Sequence, residues 1–194
     1  MIDIPCVIFA GGKSSRMGRD KALLPFGGYT TLAQFQYERL KKIFKDVYIS
    51  CKDPDKFGFL KENKEAKFIE DIKTDSFYAP TAGFISVFDT LHVKQIFVLS
   101  VDTPFVGETE INRILEHRDE GFDAVIAKTP KGAHPMCGIY AKSLHVRFKE
   151  MMANDEHRLG KLLKESNTLY VEFDEEEPFS NLNHPHEYQA ALKR

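Results

Sequence analysis

The chain has 194 residues, 42% hydrophobic and 29% charged, with a formal net charge of -2. That suits one ordinary globular domain, residues 1–194, able to fold without staples. The near-neutral balance excludes the global basic field of nucleic-acid binders, so any anion site must be local.

No apolar stretch approaches the ~20 residues a bilayer demands. The opening MIDIPCVIFAGG is too short for a signal peptide and has no positive start. No nucleic-acid and no membrane partner is expected. Cys6, Cys51 and Cys137 are scattered, odd in number and form no CxxC. This predicts a reduced, cytoplasmic protein.

In chain order, the apolar run 4–10 predicts a buried strand. A helix is expected over 32–44 with Thr31 as N-cap. A strand at 46–50 and a short helix over 53–63, opened by Asp-Pro, come next. A third strand at 67–71 ends in acids. Residues 81–91 predict a helix that opens with small residues. The most apolar strand spans 95–102, and 108–118 is an amphipathic helix with acids in its first turn. Strands at 122–127 and 134–141, helices over 142–153 and 157–165, a strand at 168–173 and a terminal helix from 184 complete the pattern. Such alternation predicts α/β layering around a mostly parallel sheet, with a less regular second half. DEEEP (174–178) reads as a solvated turn.

GGKSSRMGRDK (11–21) directly follows the first strand. A loop needs glycine or serine, but not Lys13, Arg16, Arg19 and Lys21 within nine residues. In an open α/β sheet, ligands bind beyond the carboxyl ends of strands. Gly11 and Gly12 let a ligand approach the backbone, and successive N–H groups there form an anion-binding nest. Arg16 can fork onto phosphate oxygens and Lys21 adds a compact charge. The glycine spacing fits neither the P-loop nor the Rossmann fingerprint. Asp102 ends the most buried predicted strand, just before Thr103-Pro104. A strand-end carboxylate beside a phosphate loop suits Mg²⁺, which takes one or two carboxylates plus substrate phosphates. Asp71 ends the third strand in a similar place.

FAGGKSSRMGRDKALLPFGG resembles the signature of the molybdenum cofactor guanylyltransferase (MobA-like) nucleotidyltransferase family. Further segments match it in family order: FIEDIKTDSFYAPTAGF with its Pro-x-Ala-Gly turn, VLSVDTPF, HPMCGIY and FSNLNHPHEY. The resemblance spans residues 7 to 188. It implies a three-layer, Rossmann-like nucleotidyltransferase fold. It also implies transfer of GMP from GTP to the molybdenum-molybdopterin cofactor, yielding the guanine dinucleotide form and pyrophosphate. On the matching positions it places Phe9, Ala10 and Gly11 along the nucleotide, with Gly12 supporting the turn. Lys21 is assigned to phosphate, Asp71 to the nucleotide and Asp102 to Mg²⁺. Ser50 stands where the family often has Asn. Arg16, Lys21 and Asp102 form the expected catalytic set. His134-Pro135, Arg158 with Lys161, and Asn181 with Asn183 are the candidates for holding the pterin. Molybdenum cofactor biosynthesis proteins and apo-molybdoenzymes are the implied partners.

Two rival functions use the same residues. One is a cytidylyl or sugar-phosphate nucleotidyltransferase of the same fold. The other is a non-catalytic molybdenum cofactor carrier. The pair His184 and His186 could ligate zinc only with further ligands, and none lies near in sequence.

Overall fold

A computed structural model describes residues 1–12, 17–58, 60, 66–73 and 80–194. Cys6–Phe9 forms β1, fully buried. Asp20 then caps a single 3-10 turn, Lys21–Leu23, by accepting from the Ala22 N–H at 3.1 Å. Thr31 caps α1 (Leu32–Leu40), its Oγ1 accepting from Gln34 N at 3.0 Å. β2 (Val47–Cys51), the 3-10 turn Pro54–Phe57, β3 (Lys67–Glu70) and α2 (Pro80–Leu91) follow. Next come β4 (Gln95–Ser100), α3 (Glu108–Leu115), β5 (Ala124–Thr129) and β6 (Gly132–Ala141). α4 (His145–Ala153), α5 (Leu159–Lys164), β7 (Thr168–Glu172) and α6 (Pro185–Ala191) complete the chain.

α1 and α3 are shorter than their apolar spacing predicts, α3 ending at Leu115 rather than 118. α1 stops at Leu40 rather than 44, because Ile43 and Phe44 are used by the N-terminus. Ile2 N donates to Ile43 O at 2.9 Å, and Ile2 bridges Phe44. The helix expected over 53–63 opens as a 3-10 turn at Pro54–Phe57, and Gly58 and Leu60 after it are helical; residues 59 and 61–65 lie outside the described residues.

The seven strands form one sheet in the order β3-β2-β1-β4-β6-β5-β7. All neighbouring pairs are parallel except those made by β6, which runs antiparallel to both β4 and β5. The link from Thr129 to Gly132 leaves room for a hairpin only, and a hairpin forces antiparallel pairing. The sheet is therefore mostly parallel, as expected.

Strand residues alternate between two apolar clusters. Cys6, Ile8, Phe97 and Leu99 pack with α1, α3 and α6. Val7, Phe9, Ile96 and Val98 pack with α2, α4 and α5. The result is helix, sheet, helix: three layers. On the second face, Phe84 of α2 stacks on Phe148 of α4 at 4.4 Å. α2 is buried continuously from Thr81 to Phe88, so it is a core helix and not an amphipathic one.

Candidate active site

The chain builds β1, β2 and β3 outward in one direction, then returns to place β4 on the other side of β1. The carboxyl edge between β1 and β4 is thus the topological switch point, where open α/β sheets bind ligands. Phe9 sits there between Ser50 of β2 and Ser100 of β4. The glycine loop leaves β1 at this edge, and Asp102 follows β4.

On the β2 side, Ala10 N donates to Ser50 O at 2.8 Å. Ser50 Oγ donates to Asp71 Oδ1 at 2.6 Å. Gly11 lies so near that a Cβ built on it would stand 2.7 Å from Asp71 Oδ2. Any side chain at position 11 would displace that carboxylate. Gly83, in the first turn of α2, is equally constrained. A Cβ there would fall 2.7 Å from Phe9 Cε1 and 2.9 Å from Ser50 Oγ. Burial pushes the Asp71 carboxyl above its usual value, and the Ser50 hydroxyl and Lys52 work against that rise.

On the β4 side, Lys21 Nζ donates to Asp102 Oδ2 and, at 3.0 Å, to Asn183 Oδ1. Ser100 Oγ donates to Asp102 Oδ1 at 2.6 Å. The Asp102 carbonyl accepts from Leu182 N at 2.9 Å. Both charged side chains are mostly covered, at 12% and 13% exposure. Asp102 and Asn183 face a pocket of ≈ 270 Å³ that also touches Ser100, His134, Phe179 and Asn181. A second pocket of ≈ 440 Å³ shares His134, Phe179, Asn181 and Asn183 and adds Lys131 and Glu176.

Because β6 is antiparallel, it starts at the edge where its neighbours end, and this brings His134 to the site. The His134 ring stacks on Phe179 at 4.9 Å, and its Nε2 lies 2.9 Å from Thr129 Oγ1. Burial lowers the His134 pKa, Glu176 raises it and Lys131 lowers it. The imidazole is therefore neutral at neutral pH.

The expected residues thus divide. Phe9, Ala10, Gly11, Ser50 and Asp71 gather on one side of the edge; Lys21, Asp102, His134, Asn181 and Asn183 gather on the other. Gly12 is exposed just past Gly11. Arg16 lies outside the described residues. Arg158 and Lys161 do not join the site: both turn to Glu156, and neither lines the two pockets. The acidic run 174–178 is only partly a solvated turn. Asp174, Glu175 and Glu177 are exposed, but Glu176 turns inward to lie 3.9 Å from His134. Ser100 and Gly83 escaped the sequence reading, although each adjoins a motif residue. Cys6, Cys51 and Cys137 are buried and unpaired. Burial pushes Cys51 and Cys137 up to about 12, so these thiols are not nucleophiles.

The family model of the MobA-like NTP transferase domain matches residues 6–169. The chain belongs to that family. It is 41% identical over 187 residues to the molybdenum cofactor guanylyltransferase of Campylobacter jejuni, covering 96% of this chain and 94% of the relative. The molybdenum cofactor guanylyltransferase of Helicobacter pylori is 33% identical, at 98% and 92% coverage. The crystal structure of molybdopterin-guanine dinucleotide biosynthesis protein A from Archaeoglobus fulgidus superposes with a TM-score of 0.79. It is 23% identical and covers 98% of this chain and 97% of its own. That structure shares the three-layer fold.

Proposed function

We infer that this MobA-like nucleotidyltransferase transfers GMP from GTP to the molybdenum-molybdopterin cofactor and releases pyrophosphate. The observation that carries this reading is the convergence of Lys21, Asp102 and Asn183 at the switch point, in a chain so similar to named guanylyltransferases. The nucleotide lies along Phe9, Ala10 and Gly11, with Asp71 and Ser50 beneath it and Gly12 at the turn. The acceptor occupies the two adjoining pockets, lined by His134, Asn181 and Asn183. A neutral imidazole stacked on Phe179 suits a flat heterocycle.

A phosphate monoester, with its second pKa near ~6, is mostly a dianion at neutral pH. One of its oxygens attacks the α-phosphorus. The new P–O bond forms as the bond to the β-phosphate breaks, and pyrophosphate leaves with the electron pair. No general base is needed, so the task is positioning and charge neutralisation. Lys21 and Arg16 offset the charge of the triphosphate and of the leaving pyrophosphate. Asn183 sets Lys21 from the other side of the site. Asp102 is an open-pocket carboxylate whose oxygens each keep a further lone pair beyond the Ser100 and Lys21 bonds. Among the described residues no three ligating side chains cluster. Asp102 therefore fits a hard cation shared with substrate phosphates. Asp102 would hold Mg²⁺, which would supply charge neutralisation for the triphosphate. The three buried, unpaired thiols accord with a reducing cytoplasm, where biosynthesis proteins and apo-molybdoenzymes are available to receive the product.

The test is pyrophosphate release by purified protein with Mg²⁺ and molybdenum-molybdopterin, comparing GTP, CTP, ATP and UTP. Release with GTP alone is expected, falling roughly 10²-fold in Asp102→Ala. Release with CTP would change the product. GTP binding without release from any nucleotide would overturn the enzyme reading in favour of a carrier.

A further inference from the structure

Gln36 lies on α1 with none of its surface exposed. A buried amide must find partners for two N–H groups and one oxygen. Its Nε2 faces the carbonyl oxygens of Ser100, Val101 and Thr103 at 3.4, 3.2 and 3.1 Å. Its Oε1 accepts from Arg39 Nε at 2.6 Å. Arginine can only donate, so the oxygen must face Arg39 and the nitrogen must face the carbonyls. Arg39 Nη1 reaches on to Val106 O at 2.6 Å. Burial pushes the Arg39 guanidinium down to about 10, which leaves it charged at neutral pH.

These contacts bracket Asp102. The carbonyls before and after it are held by Gln36, and its own carbonyl by Leu182 N at 2.9 Å. Thr103 N returns to Ser100 O at 3.2 Å. Past the bond from Val101 N to Phe9 O at 3.0 Å, the segment has left the ladder of β4 and no strand pairing fixes Asp102. Gln36 is the side chain that holds the carbonyls on both sides of Asp102 from beneath the sheet edge.

We propose that Gln36, oriented by Arg39, is a positioning residue for Asp102: it sets the backbone turn that aims the carboxylate at the phosphates and their cation. The inference rests on the role given to Asp102 above. It differs from a purely structural role in a measurable way. A side chain that merely satisfies buried carbonyls affects melting and leaves the folded site intact. One that aims a ligand changes the affinity of that ligand, and outer-shell partners of this kind typically contribute 10–100-fold.

The test compares Gln36→Glu, Gln36→Leu, Arg39→Lys and Asp102→Asn. Mn²⁺ binding in the presence of GTP is read by electron paramagnetic resonance. The kcat and the KM for GTP are measured with Mg²⁺. Melting curves restrict each assay to temperatures where the variant is folded. Gln36→Glu keeps the shape and, as a carboxylate beside Arg39, has no donor for the carbonyls. It is expected to weaken Mn²⁺ binding and lower kcat about 10–100-fold, with the KM for GTP changed far less. Arg39→Lys, which frees the amide to turn, is expected to weaken Mn²⁺ binding in the same direction. It decides the question if neither Gln36 variant folds. Wild-type Mn²⁺ affinity in the folded Gln36 variants, or in Arg39→Lys standing alone, overturns the inference, provided that Asp102→Asn has lost it. Unchanged affinity in Asp102→Asn overturns the metal role of Asp102, and this inference with it.

Discussion

Ser50 and Asp71 show how little separates an ionised carboxylate from a protonated one. Burial raises the Asp71 pKa, and the 2.6 Å hydrogen bond from Ser50 favours the charged form. Removing that donor must raise the pKa further. In Ser50→Ala, GTP binding is therefore expected to fail at a higher pH than in wild type as the medium is acidified. The KM for GTP, measured across the acid range, checks this. Unchanged acid limbs would detach Asp71 from the nucleotide. His134 works in the opposite sense. Its lowered pKa means that the unfolded chain binds the proton better, so its contribution to stability falls as pH drops below the ordinary histidine value.

The short helix α6 does more than close the chain. Glu187 in its first turn accepts from both Asn183 N and His184 N at 2.7 Å. This half of a capping box fixes the segment that carries Asn183. Burial works to raise the Glu187 pKa, but the two N–H donors outweigh it and the carboxyl sits below its usual range. Its stabilisation is thus present above the unfolded carboxyl value and lost as pH falls through the lowered one. Glu187→Ala is expected to cost about 1 kcal/mol at neutral pH. The difference from wild type should vanish in strong acid, as denaturant unfolding at the two pH values will show. Elements of this kind also mark what the sequence could tell. Strand and helix positions were readable because burial imposes periods of two and 3.6. The antiparallel sense of β6 was not, since direction depends on a connection too short for a crossover. The role of Gln36 was faintly written. Leu32, Gln36 and Leu40 share one helix face at i, i+4 and i+8, so an amide interrupts a buried stripe.

At the scale of the whole molecule, the site is a joint between the two ends of the chain. Phe9 and Asp102 were legible because they lie at strand ends, shortly before Gly11-Gly12 and Pro104 respectively. The pairing of the site residues was not, because Lys21 meets Asp102 across 81 positions and Asn183 across 162. A ligand that bridges such a joint stabilises the entire fold. GTP at about 100 times its Kd is expected to add ~2.7 kcal/mol, a rise in Tm of roughly 5–11 °C for a chain of this size. Asp71→Ala should abolish most of that rise in a thermal-shift measurement. The same joint dictates timing. A chain made from its N-terminus grows by ~5–20 residues per second, and a domain folds as a unit. Lys21 emerges from the ribosome long before Asn183 exists, so its bond to Asn183 Oδ1 is made only once that segment is present. If Lys21 acts as proposed, the contact that ties it to the C-terminal segment closes only after residue 183 has been made.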